Sequence, residues 1–220
     1  MRTRRKSGFS RSGFTLAEVV VGLTLTSIVL GSVGMAARRG LGLFERSSAN
    51  SEITARSGRA IDRIAKELLG ADRSDLTPFP VLPFGSSTID FKTATAWAGG
   101  GIVWSPVRRI ALQLAQGELN NGADDNGNGL VDEGAVVLVE NPGQADERRI
   151  EIVTGVSELL AGETLNAADD NGNGLRDEAG LSFVLVGDVL TIRLSIEHMG
   201  PDGQLMVRTQ QASIMLRNES

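Results

Sequence analysis

Between Phe14 and Ala37 the chain runs for 24 residues with a single charged side chain, Glu18. At about 1.5 Å per residue, a helix of that length covers about 36 Å, enough to cross a hydrocarbon core of about 30 Å. No other feature constrains the fold as strongly. A lone segment in lipid must satisfy its own backbone hydrogen bonds, and only a helix does that. Residues 1–13 carry Arg2, Arg4, Arg5, Lys6 and Arg11 and no acid. Such a basic flank stays on the cytoplasmic side, which sends the rest of the chain outward. Arg38 and Arg39 mark the far end, where long side chains reach the interface.

A secretory signal peptide has a similar basic start, and Gly34-Met35-Ala36 loosely matches a small-x-small cleavage site. Its apolar region, however, usually spans only about 7–15 residues. A plain signal anchor fits the length. Both readings leave Glu18 unexplained. A carboxylate deep in a bilayer costs on the order of 2.5–3.5 kcal/mol on insertion scales, so its presence points to a partner.

The basic leader, Gly13, Phe14-Thr15-Leu16, Glu18 and the apolar helix behind them resemble the type IV pilin and type II secretion pseudopilin superfamily. The resemblance implies that a membrane aspartyl peptidase, the prepilin peptidase, cuts after Gly13 and methylates Phe14. It also implies that Glu18, the fifth mature residue, pairs with the terminal amine of a neighbouring subunit. A carboxylate and an ammonium that neutralise each other can rest in lipid, and the first turn of a helix favours negative charge. Ala17 departs from the family, which often has leucine there. The end of the outer helix, Ile61 to Leu69, and the terminal Ser213 to Asn218 are similar to J-type minor pseudopilins and related minor pilins.

Removing the leader leaves 17 basic against 27 acidic residues, a net charge of −10. That balance argues against a nucleic-acid surface, which needs clustered Lys and Arg to neutralise phosphate. The chain has no cysteine, so no disulfide supports the outer domain. The expected organisation is a leader over 1–13, a transmembrane and assembly helix over 14–37, an outer helix half over 38–72, and a periplasmic sheet domain over 73–220. In the outer half, Ile53, Ile61, Ile64 and Leu68 share a face, and Glu52–Arg56, Asp62–Lys66 and Arg63–Glu67 are i,i+4 pairs. Gly40 and Gly42 weaken the junction between the halves.

Three prolines make Thr77–Phe84 a loop. Strands are expected at Ser87–Phe91, Ile102–Trp104, Arg109–Ala115, Ala135–Glu140 and Arg149–Val153. A meander follows over Leu181–Val186, Val189–Ile196 and Gln204–Leu216, with turns at Gly187-Asp188 and Pro201-Asp202-Gly203. The fold class is therefore α+β and pilin-like: a long N-terminal helix packed on an antiparallel sheet, with two calcium-type loops. Trp97 and Trp104 read as core or interface aromatics. His198 has no nucleophile or acid beside it in a recognisable motif, and an enzymatic role is not expected.

The calcium expectation comes from a repeat. Asn121–Glu133 recurs 45 residues later as Asn166–Glu178, and both copies contain Asp-x-Asn-x-Asn-Gly-Leu-x-Asp-Glu. This resembles the front half of an EF-hand calcium loop, in which side-chain oxygens at positions 1, 3 and 5 and a carbonyl at position 7 converge on one ion. The candidate ligands are Asp124, Asn126, Asn128, Leu130, Asp132 and Glu133, then Asp169, Asn171, Asn173, Leu175, Asp177 and Glu178, with Gly129 and Gly174 at the sharp turn. The bidentate glutamate of an EF-hand is missing, because Ala135 and Gly180 occupy its position. The acids come earlier, as in the shorter loops of dockerin-like and thrombospondin-like repeats. Two neutral asparagines per loop predict weak affinity, in the extracellular range of roughly 10⁻⁴–10⁻³ M. Magnesium, with its tighter octahedral demands, suits the loops less well, and no zinc set is present. The alternative is a pair of Asn-Gly and Asp-rich surface turns.

Together these residues lead to an expectation of a minor pseudopilin in the tip complex of a type II secretion pseudopilus. A minor pilin of a type IV pilus, serving adhesion, motility or DNA uptake, uses the same parts. An exported calcium-binding recognition domain is a third possibility. The expected partners are other pseudopilins or pilins through the N-terminal helix, the prepilin peptidase and the inner membrane.

Overall fold

The computed structural model describes residues 13–216; residues 1–12 of the expected leader and the end of the Ser213–Asn218 segment lie outside them. Helix α1 spans Leu16–Leu68. It opens on a reciprocal cap. The Thr15 hydroxyl accepts the Glu18 N–H at 3.3 Å, while the Glu18 carboxylate accepts the Thr15 N–H at 2.9 Å. The Thr-x-x-Glu spacing produces this box, because each side chain reaches the other residue's unpaired donor.

The contacts divide the chain into two units, residues 1–45 and 46–220. In the first, the helix is long and apolar enough to cross a membrane, and none of its apolar window is buried. Val20, Leu23, Ile28 and Leu30 all face outward. The hydroxyls in this stretch are internally satisfied. Thr24, Thr26 and Ser27 donate to the carbonyls of Val20, Gly22 and Leu23 at 2.7–2.8 Å. That is what a polar group in hydrocarbon requires. The helix continues through Gly40 and Gly42, which lower its propensity without ending it.

In the second unit the helix buries Ala49, Ile53, Ser57, Ala60, Ile61, Ile64 and Leu68, the expected face with small residues added. The strands are β1 (Thr88–Phe91), β2 (Ala94–Ala98), β3 (Gly101–Trp104), β4 (Arg108–Leu114), β5 (Gly134–Glu140), β6 (Arg148–Val156), β7 (Leu181–Val186), β8 (Val189–Met199) and β9 (Leu205–Met215). Seven of them form one antiparallel sheet in the order β1-β4-β5-β6-β8-β7, with β9 also paired to β8. Leu190, Ile192, Leu194 and Ile196 alternate along β8 and are fully buried, as period-two geometry demands. They share one core cluster with Ile53, Ile61, Ile64 and Leu68 of the helix. An α+β domain with the helix packed on an antiparallel sheet is thus present.

Three sequence readings differ, wholly or in part, from the structure. Strand β2 falls in Ala94–Ala98, a segment with no alternating core residues, and pairs only with β3. Trp97 on that hairpin is 72% exposed and is not a core residue. Of the three i,i+4 pairs, Arg63 approaches Glu67 at 4.0 Å. Glu67 is closer to Arg108, at 2.8 Å, and Arg56 turns away to donate to Thr154. Cross-element partners win because exposed helix pairs are worth only tenths of a kcal/mol.

Candidate functional site

The repeat builds the same loop twice. Its first copy joins β4 to β5, and its second joins β6 to β7. In the first copy, Asp124 gathers backbone. Its Oδ1 accepts the N–H of Gly127 at 2.7 Å and of Asn128 at 3.2 Å, and its Oδ2 accepts that of Gly129 at 2.8 Å. Asp132 accepts the N–H of Asn121 at 2.9 Å and of Gly122 at 2.8 Å, which closes the loop across its base. Asp169 and Asp177 repeat both roles, with distances of 2.7, 3.0 and 2.8 Å for Asp169 and 2.8 Å to both Asn166 and Ala167 for Asp177. Short side chains suit the work of Asp124 and Asp169 because they reach backbone donors a few residues ahead, whereas Asp132 and Asp177 reach across the loop.

Glu133 behaves differently. It points inward and is 1% exposed. Its Oε1 accepts the amide N–H groups of Asn126 at 2.8 Å and Asn128 at 2.6 Å. Glu178, 2% exposed, accepts Asn171 at 3.2 Å and also Asn173. Leu130 and Leu175 are buried beneath their loops and anchor them. Their N–H groups donate to Asn128 and Asn173, each at 2.8 Å.

Two acids outside the sequence motif join the loops, one in each. Glu118, 5% exposed, accepts the Asn126 N–H at 2.9 Å, and Glu163, 8% exposed, accepts the Asn171 N–H at 3.0 Å. The signal for them was present in the sequence. The Gly-Glu pair at 117–118 recurs at 162–163, at the same 45-residue offset as the rest. Gly117 and Gly162 have φ values of +91° and +92°, and an added Cβ would lie 3.3 and 3.2 Å from the Cβ of Asn126 and Asn171. The left-handed backbone favours glycine at both positions, and a Cβ would crowd the asparagine. The repeat unit therefore begins at least four residues before Asn121.

The second carboxylate oxygen of Glu118, Glu133, Glu163 and Glu178 is buried without a hydrogen-bond partner. Among the described residues no group of three or more His, Cys, Asp or Glu side chains is gathered for a metal. The aspartates of the motif are dispersed around the loop backbone, while the glutamates point in with the asparagines. Glu197 on β8 adds charge near the first loop. Burial, and then the charge of Glu133, raises its carboxyl above the ordinary range. A groove of about 710 Å³ runs between the loops, lined by Leu130 of the first, Glu163 of the second, and Glu197 and Met199 of β8.

At the other end of the chain, Gly13 and Phe14 are exposed and precede the first helical turn. Glu18 is engaged with Thr15, accepting from both its N–H and its hydroxyl. Comparison with protein-family models, curated proteins and solved structures finds no match to this chain.

Proposed function

We propose that this protein is a minor pseudopilin, a structural subunit of a type II secretion pseudopilus, held in the inner membrane until it is drawn into the filament. One observation carries the reading. The Gly13-Phe14…Glu18 motif opens a continuous helix whose first part exposes a mainly apolar surface of membrane-spanning length and whose second part packs on an antiparallel sheet. Such a helix serves a membrane and a helical bundle with the same face, since both offer apolar surroundings. Cleavage after Gly13 leaves a new amine at Phe14. Glu18, whose carboxylate accepts the Thr15 donors, stands in the first turn and pairs with that amine on a neighbouring subunit. The acidic domain beyond residue 72 faces the periplasm and carries calcium in its two loops.

Mass spectrometry of the mature protein tests the route. A chain beginning at Phe14 with one added methyl group supports it; a chain beginning near Ala37 favours a secreted calcium-binding domain. Glu18→Ala is expected to be cleaved and inserted normally yet to fail in filament incorporation, and normal incorporation rules out the intersubunit pairing.

A further inference from the structure

We propose that the cation in each loop is held by a pair of buried glutamates, Glu118 with Glu133 and Glu163 with Glu178, together with the asparagine amides between them. The aspartates of the motif shape the backbone instead. This rests on the calcium reading above and specifies its ligands.

Asn126 links the first pair, giving its backbone N–H to Glu118 and its side-chain amide to Glu133. Asn171 does the same for Glu163 and Glu178. Each loop thus places two carboxylates, all four more than nine-tenths buried, around one asparagine. The partners they have are amide donors, and one oxygen of each has none. Leaving two carboxylates buried with unmatched oxygens is costly, because burial strips hydration that amide donors only partly replace. A calcium ion matches the need: it takes six to eight oxygens and tolerates irregular geometry. Asn126 and Asn128 converge on Glu133 Oε1 through their NH2 groups, while their Oδ1 atoms each accept one backbone N–H, from Asn128 and Leu130, which leaves a second lone pair on each amide oxygen. The same side chains therefore serve the carboxylate through nitrogen and a cation through that free lone pair, without turning. Asp124 and Asp132 have both oxygens committed to backbone N–H groups. The same geometry at the same four positions, 45 residues on, argues that the glutamate pair is a repeated device.

The test uses the full chain in detergent micelles, stripped with EDTA and titrated calorimetrically with calcium chloride. Wild type is expected to bind two ions. Glu133→Gln and Glu178→Gln should each lose one, or weaken it by at least about a hundredfold, beyond the 10- to 100-fold typical of groups that only support a ligand. Asp132→Asn and Asp177→Asn should keep two. In EDTA the glutamine variants should melt at or above wild type, since each removes an uncompensated buried charge; a purely structural acceptor would make them melt lower. Two ions in wild type with both retained in the glutamine variants, or lost only in the asparagine variants, overturns the ligand assignment and leaves the calcium reading standing. No calcium bound by wild type overturns both.

Discussion

The two loops, residues 115–133 and 160–178, have nearly the same hydrogen bonds in different surroundings. The first closes a hairpin between β4 and β5, which pair along their length. The second connects β6 to β7, which lie on either side of β8 in the sheet. The β6–β8 register is limited to Val156 opposite Ile196. Even the left-handed positions coincide: Gly127, Gly129 and Asp132 in one loop match Gly172, Gly174 and Asp177 in the other. A conformation that survives such a change of context is set locally, by Asx turns and glycines. The differences are at the edges. Gly122 is matched by Ala167, which has a φ of +63°. Leu119 is matched by Thr164, whose hydroxyl adds a bond to Asp170. That contact, and then Asn166, holds the Asp170 carboxyl below its ordinary range.

If the loops are equivalent local units, the same substitution should have similar consequences in each. The largest effects are expected at the anchors. Leu175→Ala should cost about 2–5 kcal/mol, with Leu130→Ala toward the lower end because Leu130 is not fully enclosed. At about 2–4 °C per kcal/mol for a chain of this size, thermal melting resolves the difference. A much larger cost at Leu130 would mean that the hairpin context, not the loop, dominates. Gly117→Ala and Gly162→Ala come next, at roughly 2 kcal/mol each, since both strain the backbone and crowd an asparagine.

The exchange at the left-handed position has opposite signs in the two loops. Ala167→Gly should stabilise by up to about 1 kcal/mol, and Gly122→Ala should destabilise by a similar amount, as measured by chemical denaturation. Failure of the signs to oppose would break the equivalence at that point. The smallest effect lies outside both loops and supplies their background. In the turn between β5 and β6, the Gly143 N–H and then Arg149 hold the Glu147 carboxyl below its ordinary value of 4.5. Its stabilisation is present above that value and is lost as pH falls through the lower folded value. Glu147→Gln should therefore melt slightly lower at neutral pH, and the gap should close as the pH falls below the carboxyl's lowered folded value.

Much of this was legible in the chain. The apolar run follows from composition, and the outer helix face from periodicity over a few turns. Most strands and the Gly187 and Gly203 turns follow from alternation and turn chemistry. Strand β2 was not legible, because a hairpin with both faces exposed carries no hydrophobic pattern. The exposure of Trp97 was equally hidden, since an aromatic side chain has no address until the surrounding strands are placed. In the candidate site, the motif marked two loops of like conformation, and its most conspicuous acids, the aspartates, accept backbone N–H groups there.

By itself the sequence determined the local units: a membrane-length helix that begins at a capped Thr15, and two copies of a glycine-rich loop that curl in the same way wherever they are inserted. Those depend on interactions across a few residues. Tertiary structure decided which side chains face inward. The packed domain shields Glu118, Glu133, Glu163 and Glu178 from water while leaving Asp124 and Asp169 at the surface. Burial is a property of the packed whole, and it separates carboxylates that look alike in the sequence.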